Sequence, residues 1–316
     1  MRHTVVYTYH NTNLPGLAFV LVKSSDSRAM STAEVPVVDL FSFLLKNTPQ
    51  TLLIVLVVFV VYLVVLDVIN AARKPFLDPT KWKSLQLIDK KVLTHNTRRF
   101  RFAMPRKDQL LGLPVGQHIT IKATLPDGTE VMRPYTPTSD GQARGYVEFV
   151  IKVYPQGKMS QALDALTVGD SLMFKGPKGR FQYEVGAKRA IGMLAGGTGI
   201  TPMFQVAQAM LQNPNEKTTI SLIFANVSID DILLKDELED LAKRNPGRFS
   251  VYYVLNEAPS GWKGGVGFIT SEMIAAHLPA PGSDVLIMRC GPAPMMRAME
   301  GHLEALGYSQ EQQFQF

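Results

Sequence analysis

The stretch IGMLAGGTGITPM at residues 191–203 decides the fold class. Ile191, Met193, Leu194 and Ala195 form a short apolar run that ends in Gly196, Gly197, Thr198 and Gly199, and a segment of helical composition follows. A short apolar run bounded by glycines reads as a strand buried on both faces of a parallel sheet. The glycines allow a tight turn and a close backbone approach. Thr201 is placed to cap the helix, and Pro202 suits its first turn. Free N–H groups and the helix dipole then face an anion, for which a pyrophosphate is the natural guest. Taken alone, the segment also fits an ordinary strand-to-helix turn. Pro202 stands where a G-x-G-x-x-G pattern would have its last glycine.

Toward the C-terminus the same grammar repeats. TISLIFAN (219–226), FSVYYVLN (249–256) and VLIMRCGP (285–292) read as strands. DILLKDELEDLAKR (231–244), SEMIAAHL (271–278) and APMMRAMEGHLEALG (293–307) read as helices. Alternating strands and helices predict a parallel sheet with right-handed crossovers, assigned to residues 187–316. Toward the N-terminus the period changes to two. TRRFRFAM (97–104), GQHITIKAT (116–124), GYVEFVIKVY (145–154) and DSLMFKG (170–176) are short alternating runs separated by Pro and Gly. They predict a closed antiparallel barrel over residues 84–186, interrupted by one helix near 158–166 with Ser160 as its cap.

Before the barrel, every residue from 52 to 66 is apolar, and extension to 51–72 adds only Asp67 and Asn70 as clear polar breaks. A helix of that length spans ~33 Å, close to the ~30 Å hydrocarbon core, so residues 51–72 read as one transmembrane helix. Pro49 marks its entry. Arg73, Lys74, Lys81 and Lys83 follow it, whereas the twenty residues before it offer only Lys46, which places the C-terminal mass in the cytosol. Residues 73–83 read as a linker and 1–50 as a disordered tail. Within that tail, residues 14–22 loosely imitate a signal peptide, Ser24, Ser25 and Ser27 a transit peptide, and Met30 an alternative start. Deleting residues 1–78 is expected to leave a soluble, active remainder.

The 316 residues accommodate two domains, and 46% hydrophobic content excludes a mainly disordered chain. The single cysteine, Cys290, excludes a disulfide framework and any multi-cysteine metal site. A net charge of +6 falls short of a nucleic-acid footprint but suits an acidic protein or an anionic membrane. Basic residues within 81–107 fit either a steering surface or a solvated barrel face.

Three further segments carry chemistry. Arg133-Pro134-Tyr135-Thr136-Pro137-Thr138-Ser139 joins a phosphate-binding fork to an aromatic face and hydroxyls. Gly157-Lys158-Met159-Ser160 puts N–H groups and a cation at a helix start. Cys290-Gly291-Pro292-Ala293-Pro294-Met295 ends the last parallel strand, where open α/β sheets bind ligands. Each alone also fits an unremarkable turn or cap.

In this order, and with GLPVGQHI, VIKVY, GPKGRF and FAN followed by DILL, these strings resemble the ferredoxin-reductase superfamily. The resemblance covers residues 80–316 and is strongest to the NADH–cytochrome b5 reductase branch. It implies a membrane-anchored, ferredoxin-reductase-like arrangement of an FAD barrel domain and an NAD sheet domain. It implies FAD and NADH as cofactors, cytochrome b5 as partner, and a monomer at the endoplasmic reticulum or mitochondrial outer membrane. The alternatives are a flavin reductase with a different protein acceptor, such as a metal-carrying acceptor of diphthamide formation, a membrane-anchored binding protein that has lost its flavin, and a purely structural membrane protein. On the flavin side the resemblance implies Arg133 at the pyrophosphate, Tyr135 against the ring and Thr136 near its reactive nitrogen. Pro134, Ser139, Val150, Lys152, Tyr154, Gly157, Lys158, Met159, Ser160 and Thr201 complete that set. On the nucleotide side it implies Gly196, Gly197, Thr198, Gly199, Asn256, Gly291, Pro292 and Met295, with Cys290 near the nicotinamide. Tyr135, Thr136, Lys152 and Cys290 are the implied catalytic residues. Gln156 stands where a glycine is usual, and Asn256 where relatives can carry an acid. Past residues 224–226, Asp230 and Asp231 precede any cation until Lys235, which predicts repulsion of a 2′-phosphate and a preference for NADH over NADPH.

Overall fold

The computed structural model describes residues 5–10, 18–23 and 49–316, with side chains for residues 53–65 and from 74 onward. The chain forms two units, residues 1–67 and 68–316. Within the segment read as a disordered tail, β1 (Val5–His10) and β2 (Ala18–Lys23) pair antiparallel, Val5 opposite Lys23. Residues 14–17 of the signal-like run, the transit-like serines and Met30 lie outside the described residues. Helix α1 (Pro49–Arg73) has 25 residues. Its described side chains, residues 53–65, are all exposed, the large apolar ones by 47–62%. Among the described residues, no helix is long and apolar enough to cross a membrane.

The segment after α1 is not a free linker. Phe76 N–H donates to the Leu110 carbonyl (2.9 Å) and Leu77 N–H to that of Leu111 (3.0 Å). Phe76 is 3% exposed and belongs to the barrel core. Asp78 Oδ1 accepts from the Thr80 and Lys81 N–H groups and the Thr80 hydroxyl, turning the chain into the first barrel strand.

Six antiparallel strands follow: β3 (Lys83–Thr94), β4 (Thr97–Ala103), β5 (His118–Thr124), β6 (Glu130–Tyr135), β7 (Tyr146–Lys152) and β8 (Ser171–Lys178). Their order is β6-β5-β8-β3-β4-β7. Alternation puts Phe100 and Phe102 inside, fully buried, while Arg99 and Arg101 face out. The sheet rolls up, since all six strands feed one core and Phe149 of β7 stacks on Phe174 of β8, ring centroids 6.1 Å apart. The expected closure is incomplete. The edge strands β6 and β7 share no ladder, and the seam is bridged by Thr138 N–H to the Glu148 carbonyl (2.9 Å) and by Tyr135 edge-on to Phe149. Helix α2 (Lys158–Asp164) starts from Gly157 with no side-chain cap. Ser160, read as a cap, instead binds the Tyr154 N–H through its hydroxyl (3.0 Å).

The parallel sheet contains β9 (Ala190–Gly196), β10 (Thr219–Asn226), β11 (Phe249–Leu255), β12 (Gly265–Val266), β13 (Val285–Cys290) and β14 (Gln313–Gln315). Their order is β12-β11-β10-β9-β13-β14. Helices α3 (Ile200–Gln212), α4 (Lys235–Arg244), α5 (Ser271–His277) and α6 (Ala293–Ala305) complete it. β9 is buried along its whole length, as its apolar run requires. β10 to β12 extend to one side of β9 and β13 and β14 to the other, so the order reverses between β9 and β13. Ligands bind at such a switch point, outside the carboxyl ends of the strands.

Candidate active site

The carboxyl ends of β9 and β13 bring together the two glycine-bearing loops that the sequence separates by about ninety residues. Gly197 has φ of +52°, which favours glycine. A side chain on Gly199 would strike the Cys290 carbonyl, and one on Gly196 or Gly291 would strike the Met295 sulfur. Thr201 does not cap α3; Gly199 holds that position, and the Thr201 hydroxyl donates to the Thr198 carbonyl (3.2 Å).

A cavity of about 340 Å³ lies between this switch point and the barrel. The barrel contributes Pro134, Tyr135 and Thr136 from the end of β6, and Val150, Lys152, Tyr154 and Ser160 from β7 to α2. The sheet domain contributes Thr198, Gly199, Thr201, Cys290 and Gly291. Residues 134–136 and 290–291 are therefore two walls of one site. Other expected residues lie outside its lining. Arg133 is exposed, its guanidinium on the Met132 carbonyl (2.8 Å). Lys158 is exposed, and Met159 is buried in the barrel core, so only its backbone can face a ligand. A side chain on Gly157 would strike the Ser160 hydroxyl. Ser139 lines a second cavity, and its hydroxyl accepts the Glu148 N–H (3.1 Å). Gly196, Gly197, Pro292 and Met295 shape the loops behind the cavity. Asn256 is exposed, its amide 3.4 Å from the Gly267 carbonyl.

Three contributors escaped sequence reasoning. His118 lines the cavity from β5, and Gly116 lies just before it. The C-terminal Phe316 also lines it, held against Phe314 and Phe181 (5.0 and 6.1 Å). The signals available were the position of His118 inside GLPVGQHI and an aromatic residue at the chain end. The third is the partner of Lys152. Its ammonium reaches the sheet domain and binds Asp231 Oδ1 at 2.6 Å, with 17% and 12% of the two side chains exposed. Burial works against the Asp231 carboxylate, but hydrogen bonds from Lys152 and Ser228 outweigh it and hold its pKa at about 2. Asp230 and Asp231 therefore part company: Asp230 is exposed, and Asp231 is spent on the barrel. The acidic face expected toward a ribose carries one free charge rather than two.

Further contacts join the domains. Gln205 Oε1 accepts the Gly116 N–H (2.8 Å) while its amide donates to the Gln117 carbonyl (3.2 Å). Gln212 donates to Asp140 (2.8 Å). Burial raises the Cys290 thiol to about 11 and the Tyr135 phenol to about 12, so both are neutral at pH 7. Burial and Lys178 lower His118, leaving a neutral imidazole there.

Residues 84–183 match the oxidoreductase FAD-binding domain and residues 193–301 the oxidoreductase NAD-binding domain. The NADH–cytochrome b5 reductase 1 of Arabidopsis thaliana is 54% identical over 244 residues, covering 77% of this chain and 87% of that protein. This chain belongs to the NADH–cytochrome b5 reductase family. The Dictyostelium discoideum member is 51% identical over 240 residues, 76% of this chain and 83% of its own. Among solved structures, the cytochrome b5 reductase domain of Ulva prolifera nitrate reductase is 38% identical. It covers 77% of this chain and all of its own, with a TM-score of 0.74. The cavity's lining fits the family's flavin: it holds the aromatic residues Tyr135, Tyr154 and Phe316, the hydroxyls of Thr136, Ser160, Thr198 and Thr201, and one charged side chain, Lys152, which is paired with Asp231.

Proposed function

We propose that this chain is an FAD-containing reductase that takes electrons from NADH and passes them singly to cytochrome b5. One observation carries the reading: Tyr135 and Thr136 of the barrel share a cavity with Cys290 and Gly291 of the nucleotide sheet. Bound FAD supplies the chemistry, accepting a hydride from NADH and releasing electrons one at a time. The chain's own residues hold and orient. Tyr135 and Phe316 offer aromatic faces, and Thr136 and Thr201 offer hydroxyls. Gly291 lets a planar ring approach the backbone, and the protonated Cys290 packs beside it without acting as a nucleophile. Neutral His118 can hold or return a proton at the cavity wall. Arg133 and Lys158, both exposed, provide charge for a pyrophosphate on the barrel surface.

We further propose that α1 is a membrane anchor. Its 25 residues would extend about 38 Å, enough for a ~30 Å core, and its described side chains, residues 53–65, are all exposed and apolar but for the Tyr62 hydroxyl. The basic residues after it favour a cytosolic reductase on the endoplasmic reticulum or mitochondrial outer membrane. Both walls of the site come from one chain, which supports a monomer. A metal-carrying acceptor of diphthamide formation could draw on the same single-electron output. The test is an absorbance spectrum of the purified full chain before and after NADH, with cytochrome b5 then added. Flavin bleaching followed by haem reduction is expected. A colourless protein, or bleaching with no haem reduction, refutes the assignment. Retention in vesicles through alkaline carbonate tests the anchor.

A further inference from the structure

We infer that the barrel carries a docking surface for anionic phospholipid, centred on Trp82 and distinct from the flavin cavity. The inference rests on the anchor reading. Between the end of α1 at Arg73 and Phe76, which is buried in the barrel, only Lys74 and Pro75 intervene. Three residue steps reach at most about 10 Å, so the tether between α1 and the first barrel-core residue is short. The start of β3, a few residues further along the chain, carries a chemically distinct patch. Lys83, over the Phe76 ring and bonded to the Phe76 carbonyl, fixes the start of β3. The preceding Trp82 is half-buried, with the Lys122 and Lys175 ammonium groups 5.2 and 5.8 Å from its ring centroid. Lys81 is exposed next to it, and Met132, 44% exposed, lies across the ladder from Lys122.

Lys122 also binds Glu130 (2.6 Å), but among the described residues Lys81 and Lys175 have no carboxylate within 4 Å. The basic side chains of β4 differ, because Arg98, Arg99 and Arg101 are paired with Asp164, Asp89 and Glu148. Thus the unpaired Lys81 and Lys175, together with the Glu130-paired Lys122, lie around an amphipathic indole a few residues after the tether. Tryptophan prefers the headgroup level of a bilayer, and lysines with apolar stems are attracted to its anionic surface. Trp82, Lys81, Lys122, Lys175 and Met132 all lie outside the flavin cavity. Docking through them fixes the orientation of the reductase on the membrane without touching the chemistry.

The chain has two tryptophans, so Trp262→Phe leaves Trp82 as sole reporter in the full-length protein. The difference between wild type and Trp82→Phe gives the same signal if Trp262, bonded to the Gly265 carbonyl, proves necessary for folding. The protein is reconstituted in vesicles of phosphatidylcholine with or without phosphatidylserine, the acyl chains brominated or not. Trp82 emission should be quenched by brominated lipid, more strongly with phosphatidylserine. The triple variant Lys81→Gln, Lys122→Gln, Lys175→Gln should lose that anionic dependence, by about fivefold in the docked ratio per lysine. Its ferricyanide reduction should be unchanged. Protein that stays in the vesicles through alkaline carbonate with Trp82 unquenched overturns the docking surface alone. Protein released by carbonate overturns the anchor reading and the docking surface with it. Absent quenching together with a raised KM for cytochrome b5 in the triple variant assigns the patch to the protein partner and overturns the inference.

Discussion

Replacing Asp231 by Asn tests whether the Lys152–Asp231 pair holds the two domains in register. The pair joins the last residue of β7 to the loop after β10, at 2.6 Å and with less than a fifth of either side chain exposed. The Asp231 pKa falls from 3.8 to about 2, which corresponds to about 2 kcal/mol of differential interaction. The folded-state pKa is the lower one. The stabilisation is therefore complete above pH ~4, where the unfolded carboxylate is also ionised, and is lost as pH falls toward 2. At pH 7, Asp231→Asn should lower Tm by roughly 4–8 °C for a unit of this size. It leaves the Lys152 ammonium beside the flavin cavity opposite a neutral amide. Thermal unfolding followed by circular dichroism at pH 7, 4 and 2.5 is the assay. The gap between wild type and variant should be widest at pH 7 and shrink to about a third of that by pH 2.5. An unchanged Tm at pH 7, or a gap that persists undiminished at pH 2.5, refutes the reasoning.

A fragment starting at Lys74 should be soluble and retain flavin, whereas one starting at Pro79 loses the buried Phe76 and should be less stable by about 3–5 kcal/mol. Equal urea midpoints for the two would show that the 74–78 segment is dispensable. Arg133→Ala should weaken flavin affinity by about 10–100-fold through loss of a charged hydrogen bond; unchanged retention on gel filtration counts against its role. Asp230→Arg should raise the NADPH/NADH ratio of kcat/KM by at least about tenfold, since Asp230 is the exposed member of the acidic pair; an unmoved ratio removes it from the ribose site. Cys290, with its thiol near 11, should react slowly with iodoacetamide at pH 7 and faster through pH 9–11. A fast reaction at pH 7 would contradict the buried neutral thiol.

The parallel sheet was legible because burial on both faces leaves apolar runs and glycine turns in the chain itself. The four most strongly alternating barrel strands were legible for the related reason that a half-buried strand alternates. β3 was harder to read, because Asp89, Lys90 and Lys91 interrupt its alternation at a register shift. β12 and β14, two and three residues long, are too short for a period to register.

The sequence by itself determined the two domain types, the two glycine loops and the motif residues Tyr135, Thr136, Cys290 and Gly291, because these depend on local backbone geometry and residue chemistry. Tertiary structure decided the rest. His118 and Phe316 enter the cavity only when the rolled sheet and the end of the chain meet the switch point. Asp231 turned from a ribose-facing charge into a domain tie because Lys152, seventy-nine residues earlier, ends its strand opposite it. The expected linker became part of the barrel because Phe76 is buried in the barrel core while the Phe76 and Leu77 N–H groups donate to the Leu110 and Leu111 carbonyls. A local pattern records which face of an element is apolar; it carries no record of which distant group will be brought against that face.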